Sequence, residues 1–333
     1  MFTRGSPSPG GDGSPSPALP MAGCQTLTDG PRANLEARLT ITMGEQHTMS
    51  DPDPNTVDGG RMRSETINGT TLAYDTAGEG HALVLVHGSW MVRQTWLSVV
   101  PGLTRSFRVV SYDRRGHGES DAQPDAGTVH DDVADIAALI EALDIAPAHI
   151  VANSYGACIA LRLGVEHPDI VARMVCHEPP LLGVLEGSPD GKPVAEEVWR
   201  KFGEVRQRLE RGDAADGAQY FVEQVALGPG MWAQLPPEMR NIAVRNAPTF
   251  LGELRDSDAF RVDLDLLKQL AAPVLLIQGD RSPAFFGPII EVLAGTLPNA
   301  RRHLMPGAGH APHMTHPDDY VSVVRNFLLE QHP

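Results

Sequence analysis

A serine lies between small residues in the stretch Val-Ala-Asn-Ser-Tyr-Gly-Ala, residues 151–157. An apolar, strand-like run leads to Ser154, and a helix-like run follows it. Ala152 and Gly156 tolerate the close backbone contacts of a sharp strand-to-helix turn, which would expose the serine hydroxyl at its tip. The pattern therefore predicts a nucleophile. Because a serine hydroxyl is a weak nucleophile at neutral pH, it also requires a base, an acid and donors for an oxyanion.

The candidate base is a histidine near the other end of the chain. His310 lies in the stretch Met-Pro-Gly-Ala-Gly-His-Ala-Pro-His-Met-Thr-His-Pro, residues 305–317, directly after a strand-like run. A Gly-rich loop at this point can carry the imidazole over the strand ends to meet a serine hydroxyl. His313 and His316 lie further along the loop and the helix start, and we interpret them as surface or substrate-side histidines.

Two acidic residues are candidates for the group that orients His310. Glu178 lies in Cys-His-Glu-Pro-Pro-Leu, residues 176–181, after a strand expected beside the one that leads to Ser154. The two prolines that follow Glu178 restrict the backbone where a carboxylate must be held still. Asp280 follows the next expected strand of the core, at a place where an aspartate often caps a turn. We prefer Glu178 and keep Asp280 as the alternative acid, and a solvent-assisted Ser–His dyad is the third alternative.

Backbone N–H groups at two turns are candidates for an oxyanion hole. The stretch His-Gly-Ser-Trp, residues 87–90, ends a strand-like run, and Tyr155 directly follows the candidate nucleophile. The N–H groups of Ser89 and Tyr155 can therefore point at the same developing negative charge, an interaction worth about 3 kcal/mol. His87 itself is interpreted as a buried spacer, and Trp90 is a candidate substrate contact.

Short apolar runs alternate with amphipathic helical segments along most of the chain. This alternation predicts an α/β fold with a largely parallel sheet and helices on both faces. Two strands are expected around the Asn68-Gly69 turn, because this dipeptide favours hairpins. The other expected strands are 82–87, 107–112, 148–153, 170–176, 273–278 and 301–305. The stretch Asp-Arg-Arg-Gly-His-Gly after the strand at 107–112 is interpreted as loop architecture with no chemical role.

The alternation stops between residues 181 and 268. This stretch indicates several helices and has no strand-like run. We interpret it as a helical lid inserted into a core of residues 63–180 and 269–333, because ligands bind beyond the carboxyl ends of parallel strands. Most of its aromatic residues are expected to form the core of the lid itself, and Trp232 is a candidate substrate contact.

The first part of the chain has a different texture. Residues 1–62 are rich in Pro, Gly, Ser and Asp and show no sustained periodicity. Such a composition cannot bury enough apolar surface to offset the entropy of ordering the chain. We therefore expect a disordered tail here, with folded structure from about residue 63 onward.

Composition and charge limit the partners of the chain. Of its 333 residues, 41% are hydrophobic, which is enough for one large domain with a substantial core. Its 27 basic and 42 acidic side chains give a net charge of −15, which disfavours nucleic acids and anionic membranes as partners. No apolar run approaches the roughly 20 residues of a membrane-spanning helix. Three cysteines without disulfide-like or metal-like spacing fit a reducing, cytoplasmic location.

Taken together, the motifs resemble those of the α/β-hydrolase family over about residues 64–331. They are His87-Gly88, Tyr-Asp-Arg-Arg-Gly-His-Gly-Glu-Ser-Asp at 112–121, the turn at Ser154, the helical insertion and Gly-Ala-Gly-His at 307–310. The resemblance implies a mostly parallel eight-stranded sheet with a lid, and a Ser–acid–His triad that acts through an acyl-enzyme. It implies no metal and no organic cofactor.

One departure from the family pattern concerns the acid. Family members commonly place it in Gly-x-x-Asp after the strand that corresponds to 273–278, where this chain has Gly-Asp-Arg-Ser at 279–282. Some other members of the family are similar to this chain in having a glutamate at the position of Glu178. The local likeness, in His-Glu-Pro-Pro at 177–180 and Ser-Pro-Ala-Phe-Phe at 282–286, is to lactonases of the zearalenone type.

The sequence therefore predicts a serine hydrolase that cleaves a carboxylic ester or lactone of a fairly apolar small molecule. A serine at the turn disfavours epoxide or haloalkane hydrolysis, since those relatives use an aspartate there. The alternatives are hydrolysis of a carbon–carbon bond, perhydrolysis, and a ligand receptor with the same fold. The expected partner is a small-molecule substrate, and assembly into a homo-oligomer stays open.

Overall fold

The structure, a computed structural model, describes residues 62–121 and 127–330. The expected disordered tail, residues 1–62, lies outside the described residues except for its last position. Eight strands occur in these described ranges: β1 Arg63–Ile67, β2 Thr70–Ala77, β3 His81–Val86, β4 Phe107–Tyr112, β5 Ala148–Asn153, β6 Val171–His177, β7 Val274–Gly279 and β8 Ala300–Met305. They form one sheet in the order β1-β2-β4-β3-β5-β6-β7-β8.

Most of the sheet is parallel. Parallel pairing connects β4, β3, β5, β6, β7 and β8, whereas β1 and β2 form an antiparallel hairpin and β2 pairs antiparallel with β4. Asn68 and Gly69 at the hairpin turn have φ angles of 49° and 76°, the left-handed conformation that makes Asn-Gly a hairpin signal. The predicted α/β class is confirmed. The six strands predicted after the hairpin have boundaries within one residue of those observed.

Twelve α-helices occur in the part of the chain that the structure describes. They are α1 Val100–Leu103, α2 Val129–Ala142, α3 Tyr155–Glu166, α4 Gly191–Glu210, α5 Ala214–Phe221, α6 Met231–Gln234, α7 Pro237–Arg245, α8 Ala247–Arg255, α9 Leu264–Leu267, α10 Phe286–Thr296, α11 Pro312–Thr315 and α12 Pro317–Leu329. Short 3₁₀ helices span Arg93–Trp96, Pro168–Ile170 and Leu182–Leu185, and a π-helix spans Val222–Ala226. None of the described helices has the length and apolar character needed to cross a bilayer.

Alternate residues of the central strands pack on opposite faces of the sheet. Val84 and Val86 belong to an apolar core with α2, α3 and α10, whereas Leu83 and Leu85 belong to a second core with α1 and α12. Side chains of a strand point alternately to the two faces, so both faces of the sheet are covered. This explains why the central strands read as continuous apolar runs in the sequence.

Residues 181–268, which we call the helical insertion, lie between β6 and β7. They contain α4 to α9 and no strand, as the sequence predicted. Phe202, Phe250 and Phe260 lie in contact within it, with ring centroids 5.0 to 6.4 Å apart. The ring of Tyr155 at the start of α3 meets Phe260 edge-on at 5.6 Å. The insertion therefore has an aromatic core of its own and also packs on the residue that follows Ser154.

Both cysteines in the part of the chain that the structure describes are buried. Cys158 lies in α3 and Cys176 in β6, and burial raises the pKa of both thiols, that of Cys176 to about 12. Because the thiolate is the reactive form, we expect iodoacetamide at about pH 8 to leave both unmodified in the folded protein. Peptide mass spectrometry measures this, with protein unfolded in guanidinium chloride as the positive control. Modification of either thiol in folded protein would contradict the expectation.

Candidate active site

Ser154 lies at a sharp turn between β5 and α3. Its backbone angles, φ 56° and ψ −124°, lie outside the regions that non-glycine residues favour. Such a conformation costs about 1–3 kcal/mol and persists where the surrounding structure fixes it. The Ser154 N–H donates to the carbonyl of His177 at 2.8 Å. A Cβ at Gly156 would lie 2.5 Å from the carbonyl oxygen of Val86, so the close approach of the two segments requires glycine.

His310 and Glu178 form a short hydrogen bond at the carboxyl ends of the strands. His310 Nδ1 lies 2.6 Å from Glu178 Oε2, and both side chains are buried. The other carboxylate oxygen of Glu178 accepts a hydrogen bond from the N–H of Gly279 at 2.8 Å. The side-chain amide of Asn153 donates to the carbonyl of His310 at 3.1 Å. The loop that carries His310 is thereby joined to the residue directly before Ser154.

Asp280, the alternative acid, faces a different part of this loop. Its side chain is exposed after the end of β7, and Oδ1 accepts a hydrogen bond from the N–H of Gly307 at 2.7 Å. Because β6 pairs with β7, the two candidate acids follow neighbouring parallel strands. Of the two, Glu178 is the one that contacts His310 in the described structure.

Two imidazoles, those of His177 and His310, lie next to the Glu178 carboxylate. His177 Nε2 lies 3.3 Å from Glu178 Oε2, the oxygen that also contacts His310. Burial alone would raise the pKa of Glu178, but the two neighbouring imidazoles lower it well below its ordinary value. Burial lowers the pKa of His177, against the opposing effect of the Glu178 carboxylate. A carboxylate that stays ionised can hold one tautomer of His310 and stabilise a positive charge on its ring.

The same three side chains could also bind a metal ion. Among residues 62–121 and 127–330, His177, Glu178 and His310 offer ligand atoms within 4.8 Å of one another. Two imidazoles and a carboxylate are ligands that suit Zn²⁺. A cation there would take the place of the proton between Glu178 and His310, so metal binding and this hydrogen bond exclude each other. The expectation of no metal stays a prediction.

Ser89 and Tyr155 lie on two sides of the Ser154 turn. A Cβ at Gly88 would lie 2.9 Å from the Cβ of Ser154, so the loop that carries Ser89 lies against the turn. Tyr155 is the first residue of α3, and the N–H groups at a helix N-terminus favour negative charge. The structure thus brings both candidate donors to the turn. Their role as an oxyanion hole stays a proposal.

The two tryptophans that were candidates for substrate contact differ in exposure. Trp90 has a φ of 67°, is 1% exposed and stacks on Phe221 of the insertion at a centroid distance of 5.1 Å. Trp232 in α6 is half-buried against apolar residues. Trp90 is therefore enclosed by the protein, in part by the insertion, and substrate contact stays a prediction for both residues.

His313 is placed differently from its sequence-based interpretation. It is 3% exposed, and its ring lies against Trp96 with centroids 4.4 Å apart. Burial lowers its pKa well below the ordinary value, so the ring is neutral at neutral pH. The surface placement expected for His313 is wrong, because its ring packs against Trp96 and Tyr320. A substrate-side role for His313 stays a prediction. His316 is half-buried and lies 2.8 Å from the Thr315 hydroxyl through Nδ1.

The loop residues predicted to be structural organise the backbone. His87 is buried, and its Nε2 accepts a hydrogen bond from the Arg114 N–H at 3.0 Å. Burial and the neighbouring Arg114 lower the pKa of His87 well below its ordinary value. Asp113 accepts hydrogen bonds from the backbone N–H groups of Arg93 and Glu119 at 2.7 and 3.0 Å. These contacts agree with the interpretation of His87 as a spacer and of the following loop as architecture.

Two residues that sequence reasoning did not assign to the site contact its members. Phe286, at the start of α10, stacks on the His310 ring with 4.6 Å between centroids and 14° between planes. Glu253 in α8 accepts a hydrogen bond from the Ser89 hydroxyl at 2.5 Å and another from Arg114 at 2.7 Å. Phe286 lies within the Ser-Pro-Ala-Phe-Phe stretch, which could have indicated it. Glu253 has no local signal, because its partners are far away in the sequence.

Comparison with known proteins decides the family. A family model for the alpha/beta hydrolase fold matches residues 81–317, a range that contains Ser154, Glu178 and His310. The chain belongs to the α/β-hydrolase family. The matched range of this α/β hydrolase begins with β3 and ends at the start of α12, and so includes the helical insertion.

Relatives of this α/β hydrolase have different named activities. The sn-1-specific diacylglycerol lipase ABHD11 of Mus musculus is 25% identical over 264 residues, which cover 74% of this chain and 80% of the lipase. The 2-hydroxymuconate semialdehyde hydrolase of Pseudomonas sp. strain CF600 is 28% identical over 269 residues, which cover 76% of this chain and 89% of that relative. The crystal structure of the enol-lactonase from Burkholderia xenovorans LB400 matches 80% of this chain and 100% of its own, with a TM-score of 0.67. At 22% identity, this last likeness concerns the fold.

Proposed function

We propose that this α/β hydrolase is a serine hydrolase that cleaves a carboxylic ester or lactone of an apolar small molecule through an acyl-enzyme. The observation that carries the proposal is the 2.6 Å distance between Glu178 Oε2 and His310 Nδ1, next to the strained turn of Ser154. Covalent acyl transfer requires a nucleophile, a base and a group that orients the base. The relative that is named a diacylglycerol lipase supports an ester as the substrate.

In the proposed reaction, Ser154 Oγ attacks the carbonyl carbon while His310 Nε2 takes its proton. Glu178 holds His310 in the required tautomer and stabilises the imidazolium that forms. The N–H groups of Ser89 and Tyr155 bind the negative oxygen of the tetrahedral intermediate. The alcohol then leaves with the proton from His310, and water hydrolyses the acyl-enzyme by the same steps.

Apolar residues beside the site support an apolar substrate. Val92, three residues after Ser89, packs in a cluster with residues of the helical insertion. The half-buried members around this cluster are Met91, Leu227, Met231, Trp232 and Met314. They come from the segment after Ser89, from the insertion and from α11, which follows His310. Three of these five are methionines, whose flexible side chains adapt to the shape of an apolar ligand.

Hydrolysis of a carbon–carbon bond is the second candidate function. The relative that is named a 2-hydroxymuconate semialdehyde hydrolase favours it, at 28% identity. Both reactions begin at a carbonyl carbon, and they differ in whether oxygen or carbon leaves. Because one fold and one triad can serve both, substrate turnover must separate them.

A substrate panel tests the proposal. The purified protein is expected to turn over p-nitrophenyl butyrate repeatedly, and kcat/KM for apolar esters should exceed that for dicarboxylate or phosphorylated esters by about tenfold or more, because an apolar site does not solvate charge. The panel also contains a resorcylic macrolactone and 2-hydroxymuconate semialdehyde. Turnover of the semialdehyde alone would favour the carbon–carbon reaction. A single slow turnover with a ligand-induced rise in Tm would favour a receptor.

A further inference from the structure

A buried network of polar and charged side chains joins the helical insertion to the loop beside Ser154. Glu253 Oε2 in α8 accepts a hydrogen bond from the Ser89 hydroxyl at 2.5 Å. Glu253 Oε1 accepts from Arg114 Nη2 at 2.7 Å, and Arg114 Nη1 donates to Asp132 Oδ2 in α2 at 2.9 Å. All four side chains are buried. We call Ser89, Glu253, Arg114 and Asp132 the Glu253 network.

The Glu253 network also reaches the second candidate oxyanion residue. The guanidinium carbon of Arg114 lies 4.7 Å from the centroid of the Tyr155 ring. Such a cation–π contact is strongest where both partners are shielded from water, as they are here. Glu253 therefore contacts Ser89, Arg114 contacts Tyr155, and Glu253 and Arg114 contact each other.

The buried charges of the network are better explained by the fixed arrangement of side chains that they impose than by a contribution to the stability of the fold. Removing charged groups from water costs free energy, and apolar side chains of similar volume are often at least as stabilising. Burial raises the pKa of both carboxyl groups, that of Asp132 to about 7, against the opposing effect of Arg114. A buried hydrogen-bonded network does, however, specify one arrangement of its members. The N–H donors of an oxyanion hole need one fixed arrangement, because a catalytic group must be held within about 0.5 Å of its productive position.

We propose that Glu253 and Arg114 are positioning residues that hold the N–H groups of Ser89 and Tyr155 where the oxyanion forms. The proposal rests on the serine hydrolase function proposed above. Glu253 fixes the loop through the Ser89 side chain, and Arg114 fixes the first residue of α3 through the Tyr155 ring. The helical insertion thus supplies a part of the catalytic assembly in addition to covering it.

The first test is the Glu253→Gln variant. Glutamine keeps the shape of the side chain, but its NH₂ group cannot face Arg114, which only donates, and so it faces the Ser89 hydroxyl. The hydroxyl must then accept a hydrogen bond, and its own buried proton loses the carboxylate as a partner. Since loss of an entire oxyanion donor costs about 10²- to 10³-fold in kcat, we expect misplaced donors to cost about 10- to 100-fold, with KM within about threefold of wild type. The substrate is p-nitrophenyl butyrate, assayed at a temperature where the variants are folded by circular dichroism.

The matched control is Thr249→Val, one turn earlier in α8. This change removes a buried contact of the same helix with the same loop, between Thr249 Oγ1 and His117 Nε2 at 2.9 Å. It leaves both hydrogen bonds of Glu253 in place, and His117 Nε2 keeps its contact with Arg114 Nη2 at 3.2 Å. We therefore expect kcat within about twofold of wild type whatever the change in Tm. A purely structural role for Glu253 would instead make the two variants alike, with a lower Tm and an unchanged kcat.

A second variant, Ser89→Ala, tests the link without disturbing the ion pair of Glu253 and Arg114. Alanine keeps the backbone N–H and removes only the hydroxyl. We expect kcat to fall about tenfold or more, and the double variant with Glu253→Gln to lose less than the product of the two single losses, because both act partly through one hydrogen bond. Unchanged kcat in folded Ser89→Ala, or fully multiplicative losses, would overturn the proposal.

Failure of the proposed function gives a different result. If the wild type turns over no ester or lactone, the hydrolase proposal fails, and the rate at which a fluorophosphonate labels Ser154 then measures the effect of Glu253. Slower labelling of Glu253→Gln than of Thr249→Val supports the positioning role, and equal rates overturn it. A wild type that is not labelled at all overturns both proposals.

Discussion

Replacement of Ser154 by alanine is expected to lower kcat for p-nitrophenyl butyrate by about 10³-fold or more and to abolish labelling by a fluorophosphonate. Without the hydroxyl, no acyl-enzyme can form, and only substrate binding and the oxyanion donors remain to accelerate attack by water. KM should change little, because the hydroxyl reacts with the substrate more than it binds it. Steady-state kinetics and intact-protein mass spectrometry after labelling measure the two effects.

Ser188→Ala is the matched control for this experiment. The hydroxyl of Ser188 accepts a hydrogen bond from the N–H of Gly191 at 3.1 Å, at the start of α4. Its removal should leave kcat within about twofold and labelling complete, since surface changes away from the site are usually small in effect. Residual labelling of Ser154→Ala in folded protein would mean that another residue is the nucleophile.

Glu178→Gln is expected to lose about two orders of magnitude or more in kcat while folding and KM stay close to wild type, with about 10⁴-fold as the precedent for such a change. Glutamine retains an oxygen that can accept from the N–H of Gly279, so the backbone contact can persist. Its amide would, however, present a donor or a neutral acceptor to His310 Nδ1. The ring then loses its fixed tautomer and the charge that stabilises the imidazolium.

Asp280→Asn is the variant that discriminates between the two acids. The Asp280 carboxylate accepts from the N–H of Gly307 and is exposed, so its neutralisation should lower kcat less than tenfold and mainly affect the turn. Circular dichroism and kcat measured on both variants provide the comparison. An inactive Asp280→Asn together with a nearly wild-type Glu178→Gln, both folded, would reverse the assignment of the acid.

The elements and motifs with short-range signatures could be predicted from the sequence. The apolar runs of β3 to β7 are buried on both faces, and their length and spacing define the parallel sheet without knowledge of their neighbours. A few consecutive residues likewise predict the turn at Ser154. One of them is Gly156, where the close approach of the Val86 backbone leaves no room for a side chain. Helix, strand and turn preferences act over a few residues, and this is why they can be read along the chain.

Which of the two acids contacts His310 is seen only in the packed structure. Glu178 and Asp280 follow neighbouring parallel strands, so both lie at the same edge of the sheet and the sequence allowed either. The backbone of Glu178 adopts a φ of 46°, and its carboxylate meets His310, whereas Asp280 bonds to the loop backbone. Side-chain direction at a strand end depends on the loops that pack around it, and the local sequence does not encode that.

The contact between Glu253 and Ser89 lies furthest from anything the sequence indicated. The two residues are 164 positions apart, and a glutamate on an amphipathic helix ordinarily predicts an exposed face. The burial of His313 could not be predicted either, because its ring packs against Trp96, which is more than 200 positions away in the sequence. Periodicity and turn chemistry determine which elements form and which faces are apolar. The pairing of polar side chains from distant segments is determined by the angle and register at which those elements pack, and it therefore exists only in the folded molecule.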